Sequence, residues 1–229
     1  MLFDFHTHSF LSDGVLLPIE LIHRAIAQGY TAIGLTDHVS VGNLEFVLDA
    51  VIADCQLAES HWDIRAVPGV ELTHLPPAVI PELAARARAR GAQLVVVHGE
   101  TPAEPVPPGT NAAAVRCPEV DILAHPGPID GKLAGLAARN GIYLELSAHE
   151  GHCLGNAAVV SAAREAGASL LVNSDAHLPS EILTQELAQR VATGAGLTDE
   201  EANSVLLDNP KRFLDKLTGR VCHGGRGRD

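Results

Sequence analysis

Four times along the chain a helix-like stretch stops at a glycine and an apolar run follows at once. Gln28-Gly29 precedes Thr31-Ala32-Ile33-Gly34-Leu35-Thr36, and Arg90-Gly91 precedes Gln93-Leu94-Val95-Val96-Val97. Asn140-Gly141 precedes Ile142-Tyr143-Leu144-Glu145-Leu146, and Ala166-Gly167 precedes Ser169-Leu170-Leu171-Val172-Asn173. Glycine is favoured just past a helix C-terminus because it adopts left-handed backbone without a steric penalty. Helix, glycine, strand is the punctuation of a βα repeat, and it commits the chain to a parallel sheet covered by helices. The composition agrees: 46% of residues are apolar but only 3% aromatic, as in sheets built from small and branched aliphatic residues buried on both faces.

Seven apolar runs can be counted, over roughly 2–5, 32–36, 64–70, 93–98, 120–124, 142–147 and 169–174. Helices are expected near 18–28, 43–59, 79–90, 130–140 and 155–166, and after the last run over 179–194, 198–207 and 209–217. Between Glu100 and Thr110, Pro102, Pro105, Pro107 and Pro108 impose a loop, with at most a short helix near 111–116. Residues 219–229 have no apolar period, so a disordered tail is expected after a single domain over 1–218.

The polar residues that end these runs are of one kind. The first run ends in His6 and His8, the second in Asp37-His38, the third in Glu71, the fourth in His98 and the fifth in His125. The sixth passes Glu145 to reach His149, and the seventh ends in Asp175 and His177. On extended backbone, side chains at i and i+2 point the same way, so His6 and His8 can grip one ion from one strand end. Asp13 follows on a loop that Gly14 allows to turn. If the strands close into a parallel barrel, all their C-terminal ends meet on one face, and that face carries the chemistry.

Imidazole and carboxylate together suit divalent ions. His6, His8, Asp13, His38, Glu71, His98, His125, Asp175 and His177 are too many for one ion and suit two or three that share a carboxylate. Such ions clamp a phosphoryl group and activate water. The chain has neither a GxSxG nucleophile motif nor a glycine-rich phosphate loop with lysine. A formal charge of −12 supplies no basic footprint for long nucleic acids. Cys55, Cys117, Cys153 and Cys222 form no CxxC pair, which argues against a disulfide framework and a cysteine-based zinc site. No run approaches the roughly 20 apolar residues of a membrane span, and no signal peptide precedes Asp4, so a cytoplasmic location is expected.

The ordered set His6-Thr7-His8, Ser12-Asp13-Gly14, Thr36-Asp37-His38, Gly69-Val70-Glu71, His98, Ala124-His125-Pro126-Gly127 and Ser174-Asp175-Ala176-His177 resembles the motifs of the PHP (polymerase and histidinol phosphatase) family. The resemblance runs from residue 2 to about 215. It implies a distorted (β/α)7 TIM-like barrel with three divalent ions (zinc, iron or manganese) at the C-terminal strand ends. Carried over by motif, His6, His8, Glu71 and Asp175 hold one ion. Glu71, His98 and His125 hold a second, and Asp13, His38 and His177 a third. Glu71, Asp175 and His177 are the implied catalytic residues. A hydroxide shared by the ions then attacks phosphorus in line. Asp37 is expected either to hold a ligand histidine from behind or to cap the next helix. Arg116, Lys132, Glu100, His149 and His152 lie near loops that could meet a substrate.

The reading that results is a phosphoesterase acting on a small, histidinol-phosphate-like monoester, with no long nucleic acid or membrane as partner. Two alternatives stay open: a phosphodiesterase or exonuclease on short nucleotides or cyclic phosphates, and a non-catalytic PHP scaffold.

Overall fold

The computed structural model describes the backbone of residues 1–224, and side chains as far as Gly219. Its strands are β1 (Leu2–Asp4), β2 (Tyr30–Leu35), β3 (His38–Val39), β4 (Arg65–Leu72), β5 (Leu94–His98), β6 (Ile122–Ala124), β7 (Tyr143–Ser147) and β8 (Leu170–Asn173). All pair in parallel, in the order β1-β2-β4-β5-β6-β7-β8. The two-residue β3 resumes the line of β2 after a break at Thr36-Asp37 and pairs with β4, His38 against Glu71. Past β1 the backbone stays extended and meets the end of β8. The His8 amide donates to the Ala176 carbonyl (2.9 Å), and the Asp175 amide to the His6 carbonyl (2.9 Å). The sheet thus curls into a nearly closed barrel of seven strands with helices outside, as the βα punctuation predicts.

The helices are α1 (Pro18–Ala27), α2 (Leu44–His61), α3 (Ile80–Arg90), α4 (Thr110–Ala114), α5 (Gly131–Asn140), α6 (Asn156–Ala166), α7 (Gln185–Gly194), α8 (Asp199–Asn203) and α9 (Asn209–Gly224). Gly141 (φ +65°) and Gly167 (φ +68°) end α5 and α6 in left-handed backbone, the role read for them from the sequence. Three boundaries differ from expectation. The helix expected over 179–194 begins as a separate 3-10 turn, Pro179–Glu181, because the Glu181 carboxylate turns back to accept the amides of His177 (2.8 Å) and Leu178 (3.0 Å). The helix expected over 198–207 widens into a π-turn at Ser204–Asp208. The last helix runs through 219–224, where a disordered tail was expected; residues 225–229 lie outside the described residues.

The barrel interior is apolar: Phe3, Phe5, Val67, Leu94, Val96, Ile122 and Leu171 fill it, joined by Phe213 and Leu217 from α9. The Phe213 ring meets Phe5 and Tyr143 edge-on, each at 4.8 Å between centroids. Tyr143, Leu94 and Ile122 open their strands, so α9 plugs the N-terminal end of the barrel. The opposite end is left for the site.

Candidate metal centre

Each strand delivers its polar residue at or just beyond its C-terminal end. Glu71 is the last residue but one of β4, and His98 is the last of β5. His125 follows β6 directly, and Asp175 stands two residues past β8. His125 (φ +25°) and Asp175 (φ +56°) both occupy positive-φ backbone, which side-chain-bearing residues rarely adopt. Such strain persists only where the surroundings over-determine it, and it aims both side chains at the barrel axis.

There the side chains converge. His6 Nε2 lies 3.1 Å from His8 Nε2, 3.3 Å from Glu71 Oε1 and 3.6 Å from Asp175 Oδ1. His8 Nε2 is 3.0 Å from Asp175 Oδ1. His125 Nε2 is 3.6 Å from both Glu71 Oε1 and Asp175 Oδ2. On the outer side His38 Nδ1 meets Glu71 Oε2 at 2.6 Å, and Asp13 stands 3.5 Å from His38 Nε2 and 3.3 Å from His177 Nε2. Three sets each present ligand atoms within 4.8 Å of one another: His6, His8 and Asp175; His6, Glu71 and His125; and His8, Asp13, His38 and His177. Eight of the nine expected ligands are therefore brought together. The ninth, His98, adjoins them with its ring 4.5 Å from that of His125, but its Nε2 faces Glu104 Oε2 at 3.4 Å.

The electrostatics of this cluster pull both ways: carboxylates favour the charged form of some imidazoles, while burial and neighbouring histidines hold His8 and His125 well below the ordinary imidazole range. Burial works against the charged form of every group in it. His6 is nevertheless held well above its ordinary pKa by Glu145, Asp175 and Glu71. Glu71 is held well below the usual carboxylate range, against its burial, by His6 and His38. Asp175 is pushed up by burial and by the neighbouring Glu71 and Glu145. His38, despite its burial, is drawn up to about 10 by Glu71 and Asp13. Glu71 Oε1, His8 Nδ1 and His125 Nδ1 are buried without a hydrogen-bond partner. An unsatisfied buried carboxylate oxygen costs several kcal/mol, roughly, which a cation between it and the facing imidazoles would remove. The donor set, imidazole nitrogen with carboxylate oxygen, fits borderline divalent ions.

The PHP domain family model matches residues 4–104, the stretch that supplies His6, His8, Asp13, His38, Glu71 and His98. This chain belongs to the PHP family. The uncharacterized protein MJ1295 of Methanocaldococcus jannaschii is 43% identical over 218 residues, covering 95% of this chain and 100% of the relative. Among solved structures, a chain of archaeal ribonuclease P with mature tRNA superimposes with a TM-score of 0.68 at 15% identity, over 95% of this chain and 91% of that one. The Lactococcus lactis histidinol phosphate phosphatase, solved with zinc, L-histidinol and phosphate, gives 0.60 at 14% identity, over 86% and 94%. At these identities the structural likeness speaks for the fold alone.

Around the PHP cluster the supporting residues differ in part from those expected. Asp37 neither orients a histidine nor caps α2, whose N-cap position is Asn43. Its carboxylate accepts the Ser9 amide, the Ser9 hydroxyl and the Ser12 hydroxyl, each at 2.8 Å, and so fixes the loop that carries Asp13. Glu145, absent from the expected site residues, orients a histidine of the cluster: His6 Nδ1 donates to its Oε2 (2.8 Å), which Asn173 Nδ2 also reaches (2.9 Å). A glutamate facing the inside of a buried strand was the available signal. The Glu100 Oε1 accepts the amides of Gly109 and Asn111, both at 2.9 Å, and closes the proline-rich loop. Arg116 is exposed and donates to the Ala112 carbonyl (2.8 Å) on its own short helix, and Lys132 is exposed on α5. Neither supplies a cation to the cluster. His149 is half-buried at the rim, its ring 5.4 Å from that of His177. Beside His38 a cleft of ≈ 380 Å³ opens, lined by Asp13, Thr73, His74 and Glu104 among others. No described helix is long and apolar enough to cross a membrane.

Proposed function

We propose that this PHP protein is a metal-dependent phosphoesterase that hydrolyses a small phosphomonoester, with three divalent ions at the C-terminal end of the barrel. The observation that carries the reading is Glu71: fully buried, one oxygen unpartnered between His6 and His125, the other against His38. In this reading His6, His8, Asp175 and Glu71 hold one ion. Glu71, His125 and His98 hold the second, and Asp13, His38 and His177 the third. Bound divalent ions lower the pKa of water and neutralise charge on phosphoryl oxygens.

The chain's own residues do the rest. Glu71 and Asp175 tie neighbouring positions into one rigid unit, each facing more than one imidazole. His177 spans the outer position and Asp175, with Nε2 toward Asp13 and Nδ1 4.0 Å from Asp175 Oδ1. Glu145 keeps the His6 ring in the tautomer that leaves Nε2 free. The adjoining cleft, lined by Asp13, His38, Thr73, His74 and Glu104, has room for a small organic leaving group.

The test is a turnover screen of metal-replete protein on histidinol phosphate, other phosphomonoesters, nucleoside monophosphates and short nucleotide diesters. Preferential monoester hydrolysis supports the reading. Preferential diester hydrolysis replaces it with a nuclease, and three bound ions with no turnover on any substrate replaces it with a scaffold.

A further inference from the structure

The family motifs account for nine ligands, and a tenth side chain of the same chemistry stands among them. His152 sits in a single 3-10 turn, His152–Gly155, on the loop between β7 and α6, and it is buried. Its ring stacks on that of His125, 4.2 Å between centroids and 20° between planes. Its Nδ1 is hydrogen-bonded to the buried hydroxyl of Thr101 (3.0 Å), which leaves Nε2 for the site. Nε2 lies 4.0 Å from Asp175 Oδ2, the oxygen that His125 Nε2 faces from 3.6 Å. His125, His152 and Asp175 present ligand atoms all within 4.8 Å of one another, and all three are buried.

We infer that His152 is a further metal ligand of this PHP site, binding through Nε2 the second ion, that of Glu71 and His125, on the side where Asp175 Oδ2 also faces His125. The inference rests on the proposed metal centre. A direct hydrogen bond does not explain the arrangement, since 4.0 Å is beyond its reach. A shared ion does: ligand atoms each about 2.0–2.2 Å from one ion stand roughly 3–4 Å apart.

The loop is built to hold the ring there. Gly151 (φ +88°) turns the chain into the 3-10 segment. A Cβ added at Gly155 would come 3.3 Å from the Gly127 Cα, and one at Gly127 would come 2.5 Å from the Glu100 carbonyl oxygen. The loops after β5, β6 and β7 therefore meet backbone to backbone, with Thr101, His125 and His152 on successive loops. Two imidazoles and a carboxylate make a set suited to zinc or ferrous iron rather than magnesium. His98, on the far side of His125, keeps Glu104 as its carboxylate neighbour.

The full chain, stripped with chelator and reloaded with Zn²⁺ or Co²⁺, tests this. For His152→Ala the account expects one fewer tightly bound zinc per chain by elemental analysis, and an altered visible spectrum of the cobalt-loaded protein. Thr101→Val, which frees the ring without removing it, should weaken one ion about tenfold with the stoichiometry retained at high metal. His152→Gln, checked for folding by circular dichroism, covers the case in which the alanine variant unfolds. Unchanged zinc count, affinity and cobalt spectrum in a folded His152 variant would overturn the inference while leaving the phosphoesterase reading intact. Conversely, a fully loaded wild type without turnover on any phosphoester sinks the functional reading but not this one. A wild type that takes up no metal sinks both.

Discussion

The two ends of the barrel solve opposite problems. At the N-terminal end Phe213 and Leu217 of α9 fill the opening among apolar neighbours, and the buried polar groups Asp121 and Asn209 are partnered within the chain. At the C-terminal end the buried groups include His6, His8, Glu71, His98, His125, Glu145, His152 and Asp175, and several of their atoms have no partner. The first end is finished by the chain itself. The second leaves buried atoms unpartnered, Glu71 Oε1 among them. The difference separates the residues that make the fold stable from those that make it useful, and each prediction presses on one side of it.

The largest effect is expected at the unfinished end. Glu71→Gln should lower turnover by at least about a thousandfold, roughly 4 kcal/mol in barrier, while the thermal melt of the metal-free protein stays at or above that of wild type. Steady-state kinetics and calorimetry on the two proteins check it. Retained activity would break the claim that one carboxylate serves two ions. At the finished end, Phe213→Ala should cost about 3–5 kcal/mol of stability by urea denaturation. The folded fraction should take up metal as the wild type does; impaired metal uptake there would show that the two ends are coupled.

Between the ends lies Asp4, buried beneath the site, where it accepts hydrogen bonds from the amides of His6 (3.3 Å) and Ser174 (3.1 Å) and from the Tyr30 hydroxyl (3.2 Å). Burial raises its pKa from 3.8 to about 6. The folded state therefore keeps a proton that the unfolded chain has already released. Its contribution is fully present below pH 3.8 and is lost as the pH climbs through about 6, roughly 3 kcal/mol in all. Denaturation curves of Asp4→Asn against wild type across that window should differ in slope by this term; parallel curves would remove Asp4 from the account. A smaller effect is expected at Glu145→Gln. Losing the charge behind His6 should weaken metal binding about 10- to 100-fold and leave stability of the metal-free protein largely unchanged, as read by metal titration and thermal melt.

The same contrast explains what was legible in the sequence. The side chains that converge could be read because most of them end a run whose period and length announce a strand, and a parallel barrel collects strand ends. The i, i+2 spacing of His6 and His8 puts both rings on one side of an extended backbone, and the remaining strand ends give that pair its company. The supporting residues were harder, because their roles depend on which loops touch. Glu145 looks like any polar residue near a strand end until Asn173 and His6 are found on either side of it. Asp37 could have served a helix or a histidine, and only the fold of the loop Ser9–Gly14 decides for the serines. The strand β3 is two residues long after a break, too short for any periodicity to declare it. The plug formed by α9 was hidden likewise: an amphipathic helix shows that it buries a face, not which end of the barrel that face closes.

The central claim is that these residues jointly hold three cations at one end of the barrel. The most direct measurement is an anomalous difference map from crystals of metal-replete protein. The account predicts three peaks at the C-terminal strand ends, each about 2.0–2.2 Å from imidazole nitrogens or carboxylate oxygens, with Glu71 between two of them. A map from fully loaded crystals with no peak among these side chains would contradict it.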